Sequence, residues 1–106
     1  FLKMIKEECQ YPLYFTFDIK QSYKAKVEPE EYIDIMDSRI MNFHINDRDE
    51  ENLCLLPGKG NVNYRNLFNK LNEKGYSGSG IIEVYSNNYL NYDELIDAKK
   101  FLIGFL

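Results

Sequence analysis

Three side chains able to bind a metal or move a proton stand at the ends of three short apolar segments. They are Asp18 closing LYFTFD, His44 near the end of IMNFHI, and Glu83 inside GIIEVY. His44 is the only histidine in the chain. In an extended strand, successive side chains point to opposite faces. Phe15 and Phe17 therefore oppose Thr16 and Asp18 in the first segment, and Met41, Phe43 and Ile45 oppose Asn42 and His44 in the second. In the third, Ile82 and Val84 oppose Ile81, Glu83 and Tyr85. Singly, Asp18 has an ordinary use as a cap and His44 as a hydrogen-bonded structural histidine. Glu83 is harder to dismiss, because a carboxylate within IIEVY is costly to bury unless paired, protonated or metal-bound. Brought together, the carboxylates and the imidazole form a mixed oxygen and nitrogen donor set suited to divalent Mn, Zn, Co or Mg.

The elements that would position them can be read in order. Residues 1–9, FLKMIKEEC, place Leu2, Ile5 and Cys9 at near-helical spacing, and Pro12 prevents continuation. A strand is expected over 13–18 and a polar loop over 21–26. Glu28-Pro29-Glu30-Glu31 starts a helix, with proline in its first turn and acids near the positive end of its dipole. Tyr32, Ile33, Ile35 and Met36 give that helix its buried side, and Asp37-Ser38 ends it. The second strand spans 40–45. Asn63 can cap a helix on which Tyr64, Leu67, Phe68 and Leu71 follow i, i+3, i+4, i+7 spacing, with Gly75 as its stop. The third strand spans 80–85. A last helix, from 93 to about 106, buries Leu95, Ile96, Leu102, Ile103 and Leu106. Four helices alternating with three strands imply βαβ units and a parallel sheet. Parallel strands all point one way, so Asp18, His44 and Glu83 emerge together at the carboxyl edge. With adjacent strands roughly 4.8 Å apart, the three can converge on one cation.

The loop over 46–61 is long enough to be read as functional. It contains Asp47, Arg48 and the run Pro57-Gly58-Lys59-Gly60. Backbone N–H groups of Gly58, Lys59 and Gly60 could cradle a phosphate or a sugar hydroxyl. The spacing is neither a dinucleotide fingerprint nor a Walker loop, and a plain loop and cap is the better account of it. Arg48 and Lys59 are candidates for an anionic substrate. Cys54 has no basic sequence context and is not expected to be a nucleophile.

Composition bounds the function. The 106 residues fit one small domain, 1–106, and 44% hydrophobic content is that of a globular chain. A net charge of -4 argues against broad docking on nucleic acid. No apolar run is long enough to cross a membrane, and no secretory leader is evident. Cys9 and Cys54 lack CxxC spacing, which fits reduced thiols in a cytoplasmic protein. The start at Phe1 and the apolar FLIGFL at the end read as a piece of something larger.

The succession FDIKQ, HIND, LPGKGNVNY and GIIEVYS resembles the carboxyl-terminal part of the xylose isomerase-like TIM barrels. That superfamily includes sugar and sugar-phosphate isomerases and epimerases, inosose dehydratases, and endonuclease IV DNA-repair enzymes. The resemblance implies an α/β fold, a partial (β/α)8 barrel contributing about strands six to eight. It makes Asp18, His44 and Glu83 ligands of one divalent metal, with a fourth ligand outside this chain. It also gives Glu83 a second role as one of two carboxylates that move a proton next to a carbonyl, through a metal-stabilised enediolate. Gln21, Asp47, Arg48, Gly58, Lys59 and Gly60 would bind substrate or order the site. Gln21, Asn52 and Cys54 stand where the trinuclear endonucleases carry metal ligands, which weighs against DNA repair. A barrel takes about 250 residues. The expectation is therefore a carboxyl-terminal portion of a sugar or sugar-phosphate isomerase or epimerase, completed by an amino-terminal part or by another copy of the chain. A dehydratase-like lyase, an endonuclease, or a non-catalytic oligomeric remnant are the alternatives.

Overall fold

The computed structural model describes residues 2–8 and 13–106. Three strands, β1 (Phe15–Asp18), β2 (Ile40–Ile45) and β3 (Gly80–Ile82), form one parallel sheet in that order. His44 thus lies on the middle strand. Among the described residues five α-helices accompany them: α1 (Leu2–Glu8), α2 (Ile19–Lys24), α3 (Pro29–Met36), α4 (Tyr64–Glu73) and α5 (Tyr92–Ile103). Single 3₁₀ turns occur at Asp37–Arg39 and Ser86–Asn88.

Local chemistry explains most boundaries. Pro29 opens α3 with Glu30 and Glu31 in its first turn, and Asp37, at φ 52°, turns the chain out of it. The Asn63 side chain accepts the Asn66 N–H at 3.1 Å to cap α4. Gly75, at φ 76°, follows that helix where a left-handed residue is needed. Asn91 and Glu94 form a reciprocal capping box at the start of α5.

The core lies on one face of the sheet. Phe17, Phe43 and Ile45 point into it and meet Ile33 and Met36 of α3, Leu67 and Leu71 of α4, and Leu102 of α5. The Phe17 and Phe43 rings stack at 5.2 Å, and Phe43 meets the edge of Phe68 at 6.0 Å. The chain continues this aromatic packing through Tyr64, Phe101 and Phe105. On the opposite face Thr16, Asn42 and Ile81 are exposed to solvent.

Several expectations are corrected. Most of the stretch expected as a loop over 21–26 is helical, because Asp18 caps residues 19–24 as α2. The described helices accordingly number five rather than four. Met41 is 58% exposed instead of sharing the buried face of Phe43. The register slips there, with Phe15 opposite Ile40 but Thr16 opposite Asn42, so Met41 is the extra residue of a bulge. β1 begins at Phe15 rather than residue 13, and β3 ends at Ile82, although the Glu83 N–H still donates to the Ile45 carbonyl at 2.9 Å. The last helix stops at Ile103, and Ile96, Ile103 and Leu106 are exposed. Ala98 and Leu102 are the buried residues of α5, and Phe101 packs edge-on against Tyr64, which leaves Ile96 and Ile103 on the outer side of the helix. Phe1, Cys9 and Pro12, used in predicting the first helix, lie outside the described residues.

Candidate metal centre

The parallel register builds the centre. Asp18 pairs with His44, and His44 with Ile81, so Glu83 stands two residues farther along on the same face. All three side chains leave the carboxyl edge of the sheet, and one ligand atom from each lies within 4.8 Å of the other two. His44 Nδ1 is 2.8 Å from Glu83 Oε2 and 3.9 Å from Asp18 Oδ2. The other oxygens are already engaged. Asp18 Oδ1 accepts the Lys20 N–H at 2.9 Å and the Asn46 amide at 3.1 Å. Glu83 Oε1 accepts from the Lys20 ammonium at 2.9 Å. That ammonium, ahead of His44, holds the Glu83 carboxyl below the usual carboxylate range, against burial, which pushes it up. Glu83 in turn raises Lys20.

The donor chemistry and spacing fit a divalent cation. At bond lengths of 2.0–2.2 Å, two ligands of one ion lie about 3 to 4.4 Å apart. The 3.9 Å separation is within that range, the 2.8 Å His44–Glu83 contact lies just below it, and the whole group spreads over no more than 4.8 Å. A cavity of about 270 Å³ lined by Phe43, Ile45, Phe68 and Leu102 lies on the helix side of the sheet, away from these groups.

Asp47 is not part of the group formed by Asp18, His44 and Glu83. Asp47 is 1% exposed, and its carboxylate is a hub for the long loop. Oδ1 accepts the Arg48 and Val62 N–H groups at 2.8 and 3.0 Å, and Oδ2 accepts that of Gly58 at 2.8 Å. The Gly58 amide is therefore committed to Asp47, and the Lys59 amide donates to the Leu56 carbonyl at 3.0 Å. These two amides are taken within the loop, as a plain loop and cap would have it. Gly60 is required for close approach, since a Cβ there would collide with the Arg48 carbonyl and the Asp47 carboxylate. The Arg48 guanidinium lies 3.8 Å from the centre of the Tyr23 ring. Gln21 is exposed on α2. Cys54 is fully buried at φ 58°, and burial pushes its thiol up, as suits a structural cysteine.

Two residues of the centre were missed in the sequence. Lys20, 8% exposed, was hidden because FDIKQ was read as strand then loop. A helix beginning at Ile19 would have returned Lys20 to the side of Asp18. Asn46 is 1% exposed and ties β2 to Asp18, while its carbonyl accepts the Tyr64 hydroxyl at 2.7 Å.

The family model for the xylose isomerase-like TIM barrels matches residues 7–102. The chain belongs to that family. Among solved structures, a D-tagatose 3-epimerase-like protein matches with a TM-score of 0.75 at 23% identity, covering 96% of this chain and 39% of its own. At that identity the likeness speaks for the fold: this xylose isomerase-like chain is part of a TIM barrel and spans about 39% of that neighbour's length. No curated protein matches the sequence significantly. Among the described residues no helix is long and apolar enough to cross a membrane.

Proposed function

We propose that this chain is the carboxyl-terminal portion, over 1–106, of a metal-dependent sugar or sugar-phosphate isomerase or epimerase of the cytoplasm. Asp18, His44 and Glu83 hold the divalent cation, with Mn, Zn, Co or Mg all compatible with the donor set. The observation that carries the reading is the convergence of the three ligand atoms within 4.8 Å at the ends of adjacent parallel strands. Family membership and the likeness to a D-tagatose 3-epimerase-like protein support the substrate class.

A divalent cation held by Asp18, His44 and Glu83 would supply a Lewis acid for a substrate carbonyl. Glu83, kept ionised by Lys20, is the group that takes and returns the proton on the neighbouring carbon. Gln21 borders the carboxyl edge from α2 as a substrate contact. Asp47, Gly58 and Gly60 fix the loop that displays Arg48 and Lys59. A fourth ligand and a second proton-moving carboxylate come from the rest of the barrel, or from another copy.

Titrating Mn²⁺ into the wild-type chain and into His44→Ala tests the site. Binding is expected in the first and lost in the second, whereas equal affinities would remove His44 from it. A screen of the completed barrel should find epimerisation of a ketose or its phosphate. Dehydration or abasic-DNA cleavage instead would replace the proposed reaction.

A further inference from the structure

We propose that Lys20 is the positioning residue for Glu83, fixing which carboxylate oxygen is presented to the cation side of the centre. The inference rests on the metal site proposed above and adds to it a residue outside the ligand set. Lys20 is 8% exposed, and an ammonium that deep is unfavourable unless paired. Its partner lies 63 residues away in sequence, with Nζ 2.9 Å from Glu83 Oε1. The other face of the ammonium environment is the Tyr85 ring, whose centre is 5.4 Å away.

The two Glu83 oxygens are thereby divided. Oε1 belongs to Lys20, and Oε2 stays with His44 Nδ1 at 2.8 Å. Glu83 therefore presents one oxygen to a cation. The geometry also explains why the lysine sits where it does. Asp18 is the last residue of β1 and caps α2, so the segment from Asp18 to Lys20 supplies a candidate ligand and, two residues later, the group that holds another. Lys20 reaches from the end of β1 to the residue following β3, spanning the middle strand that carries His44. Glu83 follows the last strand residue, Ile82, with its backbone N–H still held by the Ile45 carbonyl at 2.9 Å, so its backbone is fixed while its side chain needs a partner of its own. Lys20 is that partner. Outer partners of this kind commonly change metal affinity about 10- to 100-fold when removed.

The test compares the full chain with Lys20→Met and Lys20→Arg, using Mn²⁺ alone as the probe by calorimetry and thermal melting alongside. Lys20→Met is expected to bind Mn²⁺ about tenfold or more weakly, and Lys20→Arg, which keeps the charge and reach, to recover most of the loss. A lowered melting temperature with unchanged Mn²⁺ affinity would make Lys20 merely structural and overturn the proposal. A second readout needs no metal. In the wild type, the Lys20 ammonium signal in ¹H–¹⁵N spectra should show scalar coupling across the hydrogen bond to the Glu83 carboxylate carbon, and Glu83→Ala, which removes the acceptor, should abolish it. Absence of that coupling in the wild type overturns the proposal. Should the wild type bind no Mn²⁺, the metal reading falls, and the coupling alone decides for or against Lys20 as the residue that holds Glu83.

Discussion

Replacing Asp47 with alanine should unlatch the long loop behind the centre. The carboxylate is 1% exposed and accepts three backbone N–H groups, from Arg48, Gly58 and Val62, at 2.8 to 3.0 Å. A hydrogen bond to a charged group contributes about 1.5–3 kcal/mol net. The Arg48 bond is local, so the two that span the loop, to Gly58 and Val62, give a ceiling of about 3–6 kcal/mol. Water entering the vacated space offsets part of this, leaving an expected loss of about 3–4 kcal/mol. Against a typical total of roughly 5–15 kcal/mol, that is a large fraction. Asp47→Asn should retain about half, since its oxygen still accepts while its amide faces the Gly58 donor. Denaturant unfolding gives the magnitude, and amide exchange at Gly58 and Val62 gives the location. A loss below about 1 kcal/mol, or unchanged protection of those two amides, would refute the reasoning.

Further outcomes follow from neighbouring features. Gly60→Ala forces a methyl group against the Arg48 carbonyl and the Asp47 carboxylate, and should lower stability by about 1–3 kcal/mol in the same unfolding assay; a neutral result would mean the loop is looser than described. Cys54, buried with its thiol pushed up, should escape iodoacetamide in the native chain and react only after unfolding, as read by peptide mass spectrometry. Rapid native labelling of Cys54 would contradict its burial. The depressed Glu83 carboxyl contributes stability that is present above the ordinary glutamate range and lost as pH falls through its lowered folded value. The raised Lys20 ammonium contributes below the ordinary lysine range, and that is lost as pH rises through its folded value. The pair is therefore intact across neutral pH, and Lys20→Met should move the Glu83 titration midpoint upward by carbon NMR in the metal-free chain. An unmoved midpoint would place the cause elsewhere.

Period-two and helical patterns carried much of the fold. Phe17, Phe43 and Ile45 did face the helices, and Tyr64, Leu67 and Leu71 did form the buried stripe of α4. The grouping of Asp18, His44 and Glu83 was legible because parallel strands share one direction and each segment carries a metal-competent side chain on its polar face. The bulge at Met41 was not legible, because a register slip is decided by the partner strand rather than by the slipped sequence. α2 was missed because IKQSYK is polar and short, and its nucleation depends on the Asp18 cap. Asp47 was expected to touch substrate or order the site, and its carboxylate holds the long loop through Arg48, Gly58 and Val62, a fold-back that spacing from His44 does not reveal. The exposed apolar side of α5 shows the limit of periodicity: it marks residues that can be buried, and packing decides which are.

The uncovered face of the sheet has an electrostatic consequence. Parallel sheets ordinarily carry cover on both faces, yet Thr16, Asn42 and Ile81 here meet solvent beside the centre, and the side chains of His44 and Glu83 stay 33% and 35% exposed. Water of high dielectric constant thus reaches the charges. Two unit charges 4 Å apart interact by about 1 kcal/mol in such surroundings and by about 4 kcal/mol at an effective constant near 20. Polypeptide laid over this face would therefore strengthen each interaction among Asp18, Lys20, His44 and Glu83 several-fold without moving an atom, making the field within the site a property of its enclosure.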